Sequence, residues 1–569
     1  MHDGSVQICI GGEAGQGLVT IGQLLSKALV RDGFWILVTQ SYMSRIRGGH
    51  NTFWVRIDTS QVLSAREDCD VLVALDQNTI DQEGAKLTDN GCIVGDAALS
   101  FGPASHLAVP TQELASKPLY ANTAALGVLA GLLGIKRQTV QDLLREQFAK
   151  KSEQVVDTNL EVLEAAWAWV EQNGGAFPTL PQPQQLTTNL MVNGSEAVAL
   201  GALAGGVRFC SFYPMTPATG VALNLIAQGE AMGVVTEQAE DEIAAVNMAL
   251  GAAYAGAKAL VPTSGGGYAL MTEGVSLAGM HELPVVVVVA QRPGPATGLP
   301  TQTEQGDLEF VLFGGHGEFP RAVFAPGDML ECFQLTRKAV GQAERWQSPV
   351  FVLSDQYLAD AWQTVTPDQF TFAPETQTEP PCPELSQGQA YARYAVTDSG
   401  VSPRCLPGQS PALVVNDSDE HTPDGHITED HGVRQQMVDK RLRKFSGLQN
   451  ELTPPSYHGD DPEGALLLIC WGSSKGPVLE AAAQLRQGGR HVGVLHFSQV
   501  WPLREDSFPV DLDQAASLVV VEGNATGQFA ALLRRETGRT VHTTVLRYDG
   551  LPLTPAFIHR HLPGENNRA

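Results

Sequence analysis

The sequence has 569 residues, of which 43% are hydrophobic and 17% charged, so it is too long for one hydrophobic core and predicts several globular domains. Its 37 basic and 62 acidic side chains give a formal charge of -25, which would repel a polyanion and argues against a nucleic acid partner. No stretch approaches the ~20 apolar residues of a membrane span and no signal-peptide pattern opens the chain, so we expect a cytoplasmic protein with no membrane contact.

The eight cysteines are scattered along the chain and never form a C-x-x-C pair. Neither an iron–sulfur cluster nor a zinc site is therefore indicated, and we expect no metal ligands in this chain. In a cytoplasmic protein these cysteines should be reduced thiols.

Residues 1–175 are predicted to form an α/β domain. An apolar run at 6–10 leads into the glycine-rich stretch GGEAGQG (11–17) and then a helical pattern, with further strand-like runs at 35–39, 53–57 and 71–75. Backbone amides of such a loop can hold an anion, which makes Gly12, Gly15 and Gly17 candidate binding residues. The alternative is a purely structural turn.

A second α/β domain is predicted at 191–365, after a linker at 176–190 that is rich in proline and preceded by two glycines. Its strand-like runs are 208–213, 234–238, 258–263 and 284–292, and the continuous apolar run 285–289 suits a central parallel strand. Residues 366–462 read as linker and lid-like loops, and a third α/β domain follows at 463–569.

Two stretches of the second domain carry candidate chemistry, YPMTPAT (213–219) and the acidic residues 240–242. Each follows a predicted strand, where open α/β sheets place ligands. Two prolines fix the backbone around Thr216, so its hydroxyl and nearby amides can be held ready for a small anion. The alternatives are a helix capped at Thr219 and carboxylates that suit a helix N-terminus.

Five stretches in order resemble the pyrimidine-binding domain of 2-oxoacid:ferredoxin oxidoreductases: GSEAVALGALAGG from 194, YPMTPAT from 213, EDEIAAVNMALGAAYAG from 240, TSGGGYALM from 263 and QRPGPATGLPTQ from 291. The resemblance implies that Glu242 bonds N1′ of the thiamine diphosphate aminopyrimidine, with Tyr213 and Pro214 also at the cofactor. It further implies that Thr216 and Arg292 hold the C1 carboxylate of the substrate, for which a guanidinium fork is well shaped.

The sequence lacks the Gly-Asp-Gly that usually announces a diphosphate site in thiamine enzymes, and it lacks clustered cysteines. The resemblance therefore implies a beta subunit that brings the diphosphate-Mg²⁺ site and a [4Fe–4S] cluster. Ferredoxin would be the electron acceptor, and a dimer of alpha–beta heterodimers the expected assembly.

The first domain resembles the gamma part of the same family through GGEAGQG and SYMSRIRGGH (41–50), which implies coenzyme A as cosubstrate near the glycine loop, Arg45 and Arg47. Residues 470–476 and 521–528 resemble the family's transketolase C-terminal-like domain, expected to act as a scaffold. The fold class implied is thus α/β and multi-domain, with a gamma-type, a thiamine-diphosphate-binding and a transketolase C-terminal-like domain.

The acidic, histidine-bearing stretch 417–431, with Arg393, Tyr394 and residues 402–404, looks like the family branch that uses 2-oxoglutarate. The spacing of its carboxylates and imidazoles matches no metal motif. The implied reaction converts 2-oxoglutarate, coenzyme A and oxidised ferredoxin to succinyl-CoA, CO₂ and reduced ferredoxin. Pyruvate, a branched-chain or an aryl 2-oxoacid is the alternative substrate, and a non-catalytic nucleotide- or CoA-binding regulator is the alternative class.

Overall fold

The computed structural model describes residues 4–43, 49–115, 117–174, 180–181, 183, 188–372, 382–386 and 390–563. The chain divides into two compact units. The N-terminal unit comprises Met1–Asn193, Ala361–Gln369 and Thr554–Ala556, and the second unit comprises Gly194–Asp360, Phe370–Leu553 and Phe557–Ala569.

The elements up to residue 193 are, in chain order, β1 (Val6–Glu13), α1 (Leu18–Arg31), β2 (Trp35–Ser41), β3 (His50–Asp58), β4 (Cys69–Ala74), α2 (Gln77–Glu83), β5 (Leu87–Asp96), β6 (His106–Val109), α3 (Thr111–Leu114), α4 (Ala121–Leu132), α5 (Arg137–Gln147), α6 (Glu153–Asn173) and β7 (Leu190–Asn193). The strands predicted near 6–10, 35–39, 53–57 and 71–75 are confirmed as β1 to β4.

The elements from 194 to 365 are, in chain order, α7 (Gly194–Gly205), β8 (Phe209–Phe212), α8 (Thr219–Met232), β9 (Val235–Gln238), α9 (Glu242–Tyr254), β10 (Ala259–Thr263), α10 (Gly265–Met280), β11 (Val285–Gln291), α11 (Leu308–Phe313), β12 (Ala322–Phe324), α12 (Met329–Trp346), β13 (Pro349–Asp355), α13 (Gln356–Asp360) and β14 (Trp362–Val365). The strands predicted in this region are confirmed as β8 to β11.

The remaining elements are, in chain order, α14 (His431–Asn450), β15 (Ser456–Gly459), β16 (Leu466–Trp471), α15 (Lys475–Gln487), β17 (Val492–Phe497), β18 (Gln499–Trp501), β19 (Ser517–Glu522), α16 (Gln528–Thr537), β20 (Thr543–Leu546) and α17 (Pro555–His561). The predicted strands at 465–471, 491–497 and 517–522 are confirmed as β16, β17 and β19. None of the helices among the described residues is both long and apolar enough to cross a membrane.

The N-terminal unit is built on a mixed sheet with strand order β6-β5-β4-β1-β3-β2-β14-β7. β1, β4, β5 and β6 are parallel, whereas β3 pairs antiparallel with both β1 and β2. Side chains of β4 alternate between two apolar cores, because successive residues of a strand point to opposite faces. Val71 and Val73 pack in the core that includes α1 and α4, while Leu72 and Ala74 pack in the other.

The second unit holds a seven-stranded sheet with the order β18-β12-β13-β11-β10-β8-β9 and a five-stranded sheet with the order β15-β17-β16-β19-β20. β11 lies between β10 and β13, parallel to both, and every one of its residues is buried. The apolar run 285–289 is therefore a central parallel strand, as predicted. Together the two sheets confirm the predicted α/β class.

Three predictions about the linking regions need correction. β7 and β14, which fall inside the predicted second domain, pair with each other in the sheet of the N-terminal unit. Residues 366–462 are not all loop, because they contain the 20-residue helix α14. Its lysines Lys440 and Lys444 are buried and form ion pairs with Glu282, an arrangement that no apolar periodicity in the sequence reveals.

The third correction concerns the cysteines. Cys382 and Cys405 form a disulfide, so not all cysteines are free thiols.

Candidate functional site

The parallel strands β9, β8, β10 and β11 end at one edge of the seven-stranded sheet. From β8 the chain first adds β9 on one side and then crosses back to add β10 on the other. Open α/β sheets bind ligands where the strand order reverses, beyond the carboxyl ends of the strands. Thr216 follows β8, Glu242 follows β9 and Arg292 follows β11, so all three predicted residues lie at this edge.

Glu242 is the first residue of α9 and is only 2% exposed. Asp241 caps the helix by accepting a hydrogen bond from the backbone N–H of Ala244, which fixes the first turn. The Oε1 atom of Glu242 is buried and has no hydrogen-bond partner among the described residues. Burial raises the pKa of Glu242, because the charged form loses hydration; a hydrogen bond from its own backbone N–H opposes this shift and the charge of Asp241 adds to it. The carboxyl group can therefore hold a proton and bond one more polar atom.

Gly267, in the first turn of α10, makes the space that Glu242 occupies. A Cβ atom built on Gly267 would lie 2.7 Å from Oε1 of Glu242 and 2.2 Å from Oγ1 of Thr263. Both distances are too short for a stable contact, so any other residue would displace one of these side chains. The motif TSGGGYALM contains Gly267, but its role requires knowing that α9 and α10 are neighbours.

Arg292 and Thr216 meet at the same edge. The Nη1 atom of Arg292 donates a hydrogen bond to the backbone carbonyl oxygen of Thr216 over 2.6 Å. Arg292 is half-buried, and desolvation lowers its pKa although Asp307 opposes that shift. The contact therefore involves the backbone of Thr216 and not its hydroxyl group. The proposed binding of a substrate carboxylate by Thr216 and Arg292 stays a prediction.

Tyr213 and Pro214 lie on the loop between β8 and α8, and both are exposed. Tyr213 is 39% exposed, which is high for an aromatic side chain and leaves its ring open to a ligand or a second polypeptide. Their predicted contact with a cofactor stays a prediction.

Two further side chains at this edge were missed by the sequence analysis. The hydroxyl oxygen of Ser264, the residue before α10, is buried and has no hydrogen-bond partner among the described residues. Burial raises the pKa of Asp307 to about 6, with a further contribution from Glu304 and an opposing one from Arg292. Asp307 is separated from β11 by a long irregular segment, so no strand-end pattern points to it.

The glycine loop of the N-terminal unit is shorter than predicted. β1 continues to Glu13, so Gly12 lies inside the strand, paired with Asn51 of β3, and not in the loop that follows; its contact with a ligand stays a prediction. Gly15 and Gly17 have φ values of 99° and 82°, a region that favours glycine, and Gly17 precedes α1 without a side-chain cap. Arg45 and Arg47 lie outside the described residues.

A cavity of about 490 Å³ lies at the carboxyl ends of the parallel strands of this unit. Its lining combines Gly15 and Gln16, which follow β1, with apolar side chains of α4 and of β4, β5 and β6. Asn122 and Asp96 provide polar groups, and the lining described by the structure contains no lysine or arginine. The cavity therefore suits an uncharged or apolar part of a ligand better than a phosphate.

An aminopyrimidine fits the carboxyl group that the structure places at the sheet edge. A ring nitrogen can supply the hydrogen-bond partner that Oε1 of Glu242 lacks within the described part of the chain. Residues 4–43, 49–115, 117–174, 188–372 and 390–563 contain no group of three or more His, Cys, Asp or Glu side chains placed to hold a metal ion. The unpaired carboxyl oxygen of Glu242 within the described residues is what fits the pyrimidine half of thiamine diphosphate.

Two family models match the chain. Residues 7–169 match pyruvate ferredoxin/flavodoxin oxidoreductase, and residues 200–440 match the thiamine diphosphate-binding region of pyruvate flavodoxin/ferredoxin oxidoreductase. The second match contains the whole edge with Thr216, Glu242 and Arg292.

Similar proteins match over nearly the full length. The 2-oxoacid:ferredoxin oxidoreductase 2 subunit alpha of Aeropyrum pernix is 29% identical, with 96% of each chain covered. The 2-oxoglutarate oxidoreductase subunit KorA of Mycobacterium tuberculosis is 30% identical, covering 93% of this chain and 87% of its own. A structure of the 2-oxoglutarate:ferredoxin oxidoreductase of Magnetococcus marinus, with 2-oxoglutarate, coenzyme A and succinyl-CoA bound, is 31% identical with a TM-score of 0.90. It covers 97% of this chain and 98% of its own.

Proposed function

Because the chain belongs to the 2-oxoacid:ferredoxin oxidoreductase family, we propose that it is the catalytic alpha subunit of a 2-oxoglutarate:ferredoxin oxidoreductase. The reaction converts 2-oxoglutarate and coenzyme A to succinyl-CoA and CO₂, and ferredoxin takes the electrons. The choice of 2-oxoglutarate is supported by the ligands of the Magnetococcus marinus structure and by the name of the Mycobacterium tuberculosis relative. The observation that carries the catalytic assignment is the buried Oε1 atom of Glu242, which has no hydrogen-bond partner in the part of the chain that the structure describes.

Glu242 is proposed to hold a proton at Oε1 and to share it with N1′ of the aminopyrimidine. Bound thiamine diphosphate supplies the electron sink that makes loss of CO₂ from a 2-oxoacid feasible. The raised pKa of Glu242 suits this role, because burial makes its carboxyl group keep a proton more readily than a solvated one and so share it with a ring nitrogen. Gly267 keeps the carboxyl group in position by leaving room for it.

Arg292 is proposed to bind the C1 carboxylate of the 2-oxoacid. One N–H group at Nη1 is committed to the carbonyl oxygen of Thr216, which holds the guanidinium in place at the sheet edge. A guanidinium has five N–H donors, so a carboxylate can still be bound in a fork geometry. The hydroxyl of Thr216 is proposed to contribute a further hydrogen bond to the same carboxylate.

Coenzyme A is proposed to bind at the N-terminal unit, with an uncharged portion in the cavity near Gly15 and Gln16. Because this lining carries Asp96 and no cation among the described residues, the phosphates need basic groups from elsewhere. Arg45 and Arg47 are the candidates within the chain, and either one or a partner residue is proposed to meet the distal carboxylate of 2-oxoglutarate.

A second subunit is required by this proposal. The relatives are named as subunits, so they act within multi-subunit enzymes. A beta subunit would bring the diphosphate-Mg²⁺ site and a [4Fe–4S] cluster, because the sequence lacks Gly-Asp-Gly and clustered cysteines. We further propose that the enzyme acts in the cytoplasm as a dimer of alpha–beta heterodimers and reduces ferredoxin.

Co-expression of the chain with its beta subunit tests the proposal. The purified complex should reduce a low-potential viologen in a coenzyme A-dependent reaction, with a higher kcat/KM for 2-oxoglutarate than for pyruvate, a branched-chain or an aryl 2-oxoacid. A higher kcat/KM for one of the other 2-oxoacids would identify that compound, and not 2-oxoglutarate, as the substrate. Failure to oxidise any 2-oxoacid, together with retained coenzyme A binding, would favour the non-catalytic regulator.

A further inference from the structure

Asp307 is fixed to the same sheet edge as Arg292. The backbone N–H of Asp307 donates to Oε1 of Gln291 over 2.9 Å, and Gln291 immediately precedes Arg292 at the end of β11. The carboxylate of Asp307 lies against the start of α10, since a Cβ atom built on Gly265 would be 2.3 Å from Oδ2 and 2.5 Å from Oδ1. The segment between residues 292 and 307 thus leaves β11 and leads back to its end, so that Asp307 lies at the end of the strand that Arg292 follows.

Two charged side chains act on Asp307 electrostatically, with opposite effects on its pKa. Arg292 attracts its negative charge and Glu304 repels it. The carboxylate makes no capping hydrogen bond to α11, so its energy depends mainly on burial and on these two charges. A carboxylate with little hydrogen bonding is sensitive to any further anion that arrives nearby.

Resting on the proposed function, we propose that Asp307 is a positioning residue that sets how strongly Arg292 binds the carboxylate of the 2-oxoacid. When Asp307 is ionised, it offsets part of the positive charge of Arg292 and competes with the substrate. When Asp307 is protonated, Arg292 presents its full charge to the substrate carboxylate. Binding of the substrate is therefore linked to uptake of a proton by Asp307.

The sign of the pH dependence follows from this linkage. The pKa of Asp307 is about 6 without substrate, and a substrate carboxylate beside Arg292 raises it further. Affinity for the 2-oxoacid is then highest below about pH 6. It falls as the pH rises from about 6 to the higher pKa that Asp307 has when the substrate is bound. Each unit between the two pKa values corresponds to a tenfold change in affinity, and we expect about 3- to 10-fold across this window.

The experiment measures KM and kcat of the alpha–beta complex between pH 5.5 and 8.5 for three variants and the wild type. In Asp307→Asn, KM for 2-oxoglutarate should keep at every pH the low value that the wild type has at low pH. The ratio of the variant KM to the wild-type KM should therefore fall from about 1 at low pH to about 0.1–0.3 at high pH. Glu304→Gln should move the transition in KM to lower pH, because Glu304 raises the pKa of Asp307. The exposed Glu309→Gln is the matched control and should leave the profile unchanged.

Calorimetry of glutarate binding gives a readout independent of turnover, because glutarate has both carboxylates but no keto group. Binding at pH 7 in buffers of different ionisation enthalpy should show proton uptake in wild type and none in Asp307→Asn. Proton uptake and a KM profile that persist in Asp307→Asn, or a Glu304→Gln profile identical to wild type, would overturn this inference while leaving the proposed function intact. Loss of all 2-oxoacid activity in the wild-type complex would overturn both.

Discussion

The side chain of Arg292 holds the backbone of Thr216 through a 2.6 Å hydrogen bond, although the two residues are 76 positions apart in sequence. One follows β11 and the other follows β8, and β10 lies between these strands in the sheet. The contact ties together the two loops that flank the point where the strand order reverses. Arg292 therefore has a positioning contact in addition to its proposed contact with the substrate.

Arg292→Ala should raise KM for the 2-oxoacid and lower kcat/KM by about 10- to 100-fold, because a hydrogen bond to a charged group contributes about 1.5–3 kcal/mol. Arg292→Lys should recover part of this loss, since a lysine restores the charge but not the fork. Steady-state kinetics of the alpha–beta complex measure both effects. An unaltered kcat/KM for every 2-oxoacid in Arg292→Ala would refute the carboxylate assignment.

Gly267→Ala should reduce 2-oxoacid oxidation strongly, because the new methyl group overlaps the space of Glu242 and Thr263. We expect it to cost about 1–3 kcal/mol in stability, as is typical for overpacking. Gly266→Ala is the matched control, since its Cβ atom meets only the carbonyl oxygen of Ala296 at 3.8 Å. Thermal unfolding and kinetics of both variants check this, and equal activities would show that Glu242 does not need the space at Gly267.

The isolated chain should be inactive and free of iron, since its sequence has no Gly-Asp-Gly and no clustered cysteines. Iron analysis and a viologen assay of the single purified chain check this. Addition of the beta subunit is the control, and both iron and activity should then appear. Stoichiometric iron in the isolated chain would contradict the division of the active site between two subunits.

The disulfide predicts the number of reactive thiols. Alkylation of the denatured, unreduced chain should modify the six free cysteines only, and prior reduction should raise the number to eight. Peptide mapping by mass spectrometry should assign the two additional sites to Cys382 and Cys405. Eight modified cysteines before reduction would mean that these thiols are reduced in the native protein, as the sequence analysis expected.

Much of the second unit could be predicted from sequence because its strands are continuous apolar runs. Buried parallel strands give this pattern directly, as at 285–289, and turn residues mark where they end. Glu242 was identified instead through the resemblance of its motif to the family, because the strand before it, VTEQ in β9, is polar and mostly exposed. Its place beyond the carboxyl end of a strand was predicted from the general behaviour of open sheets and agrees with its position after β9.

The features that were missed depend on contacts distant in sequence. β14 is a short strand with polar residues, and it is held to β2 partly by the Thr364 hydroxyl, which accepts a hydrogen bond from the Ile36 backbone N–H over 2.9 Å. The roles of Gly267 and Asp307 depend on which helices are neighbours, and the disulfide joins Cys382 to Cys405, 23 positions apart in sequence. None of these follows from local periodicity.

The central claim is that Glu242 shares a proton with the aminopyrimidine, and the most direct test is hydrogen–deuterium exchange at C2 of thiamine diphosphate bound to the alpha–beta complex. Glu242→Gln preserves the size of the side chain but removes its carboxyl proton, so C2 exchange should slow by about 10²–10⁴-fold. Glu240→Gln and Asp241→Asn are the controls and should exchange at nearly the wild-type rate. Unchanged exchange in Glu242→Gln, or an equally large loss in either control, would contradict the account.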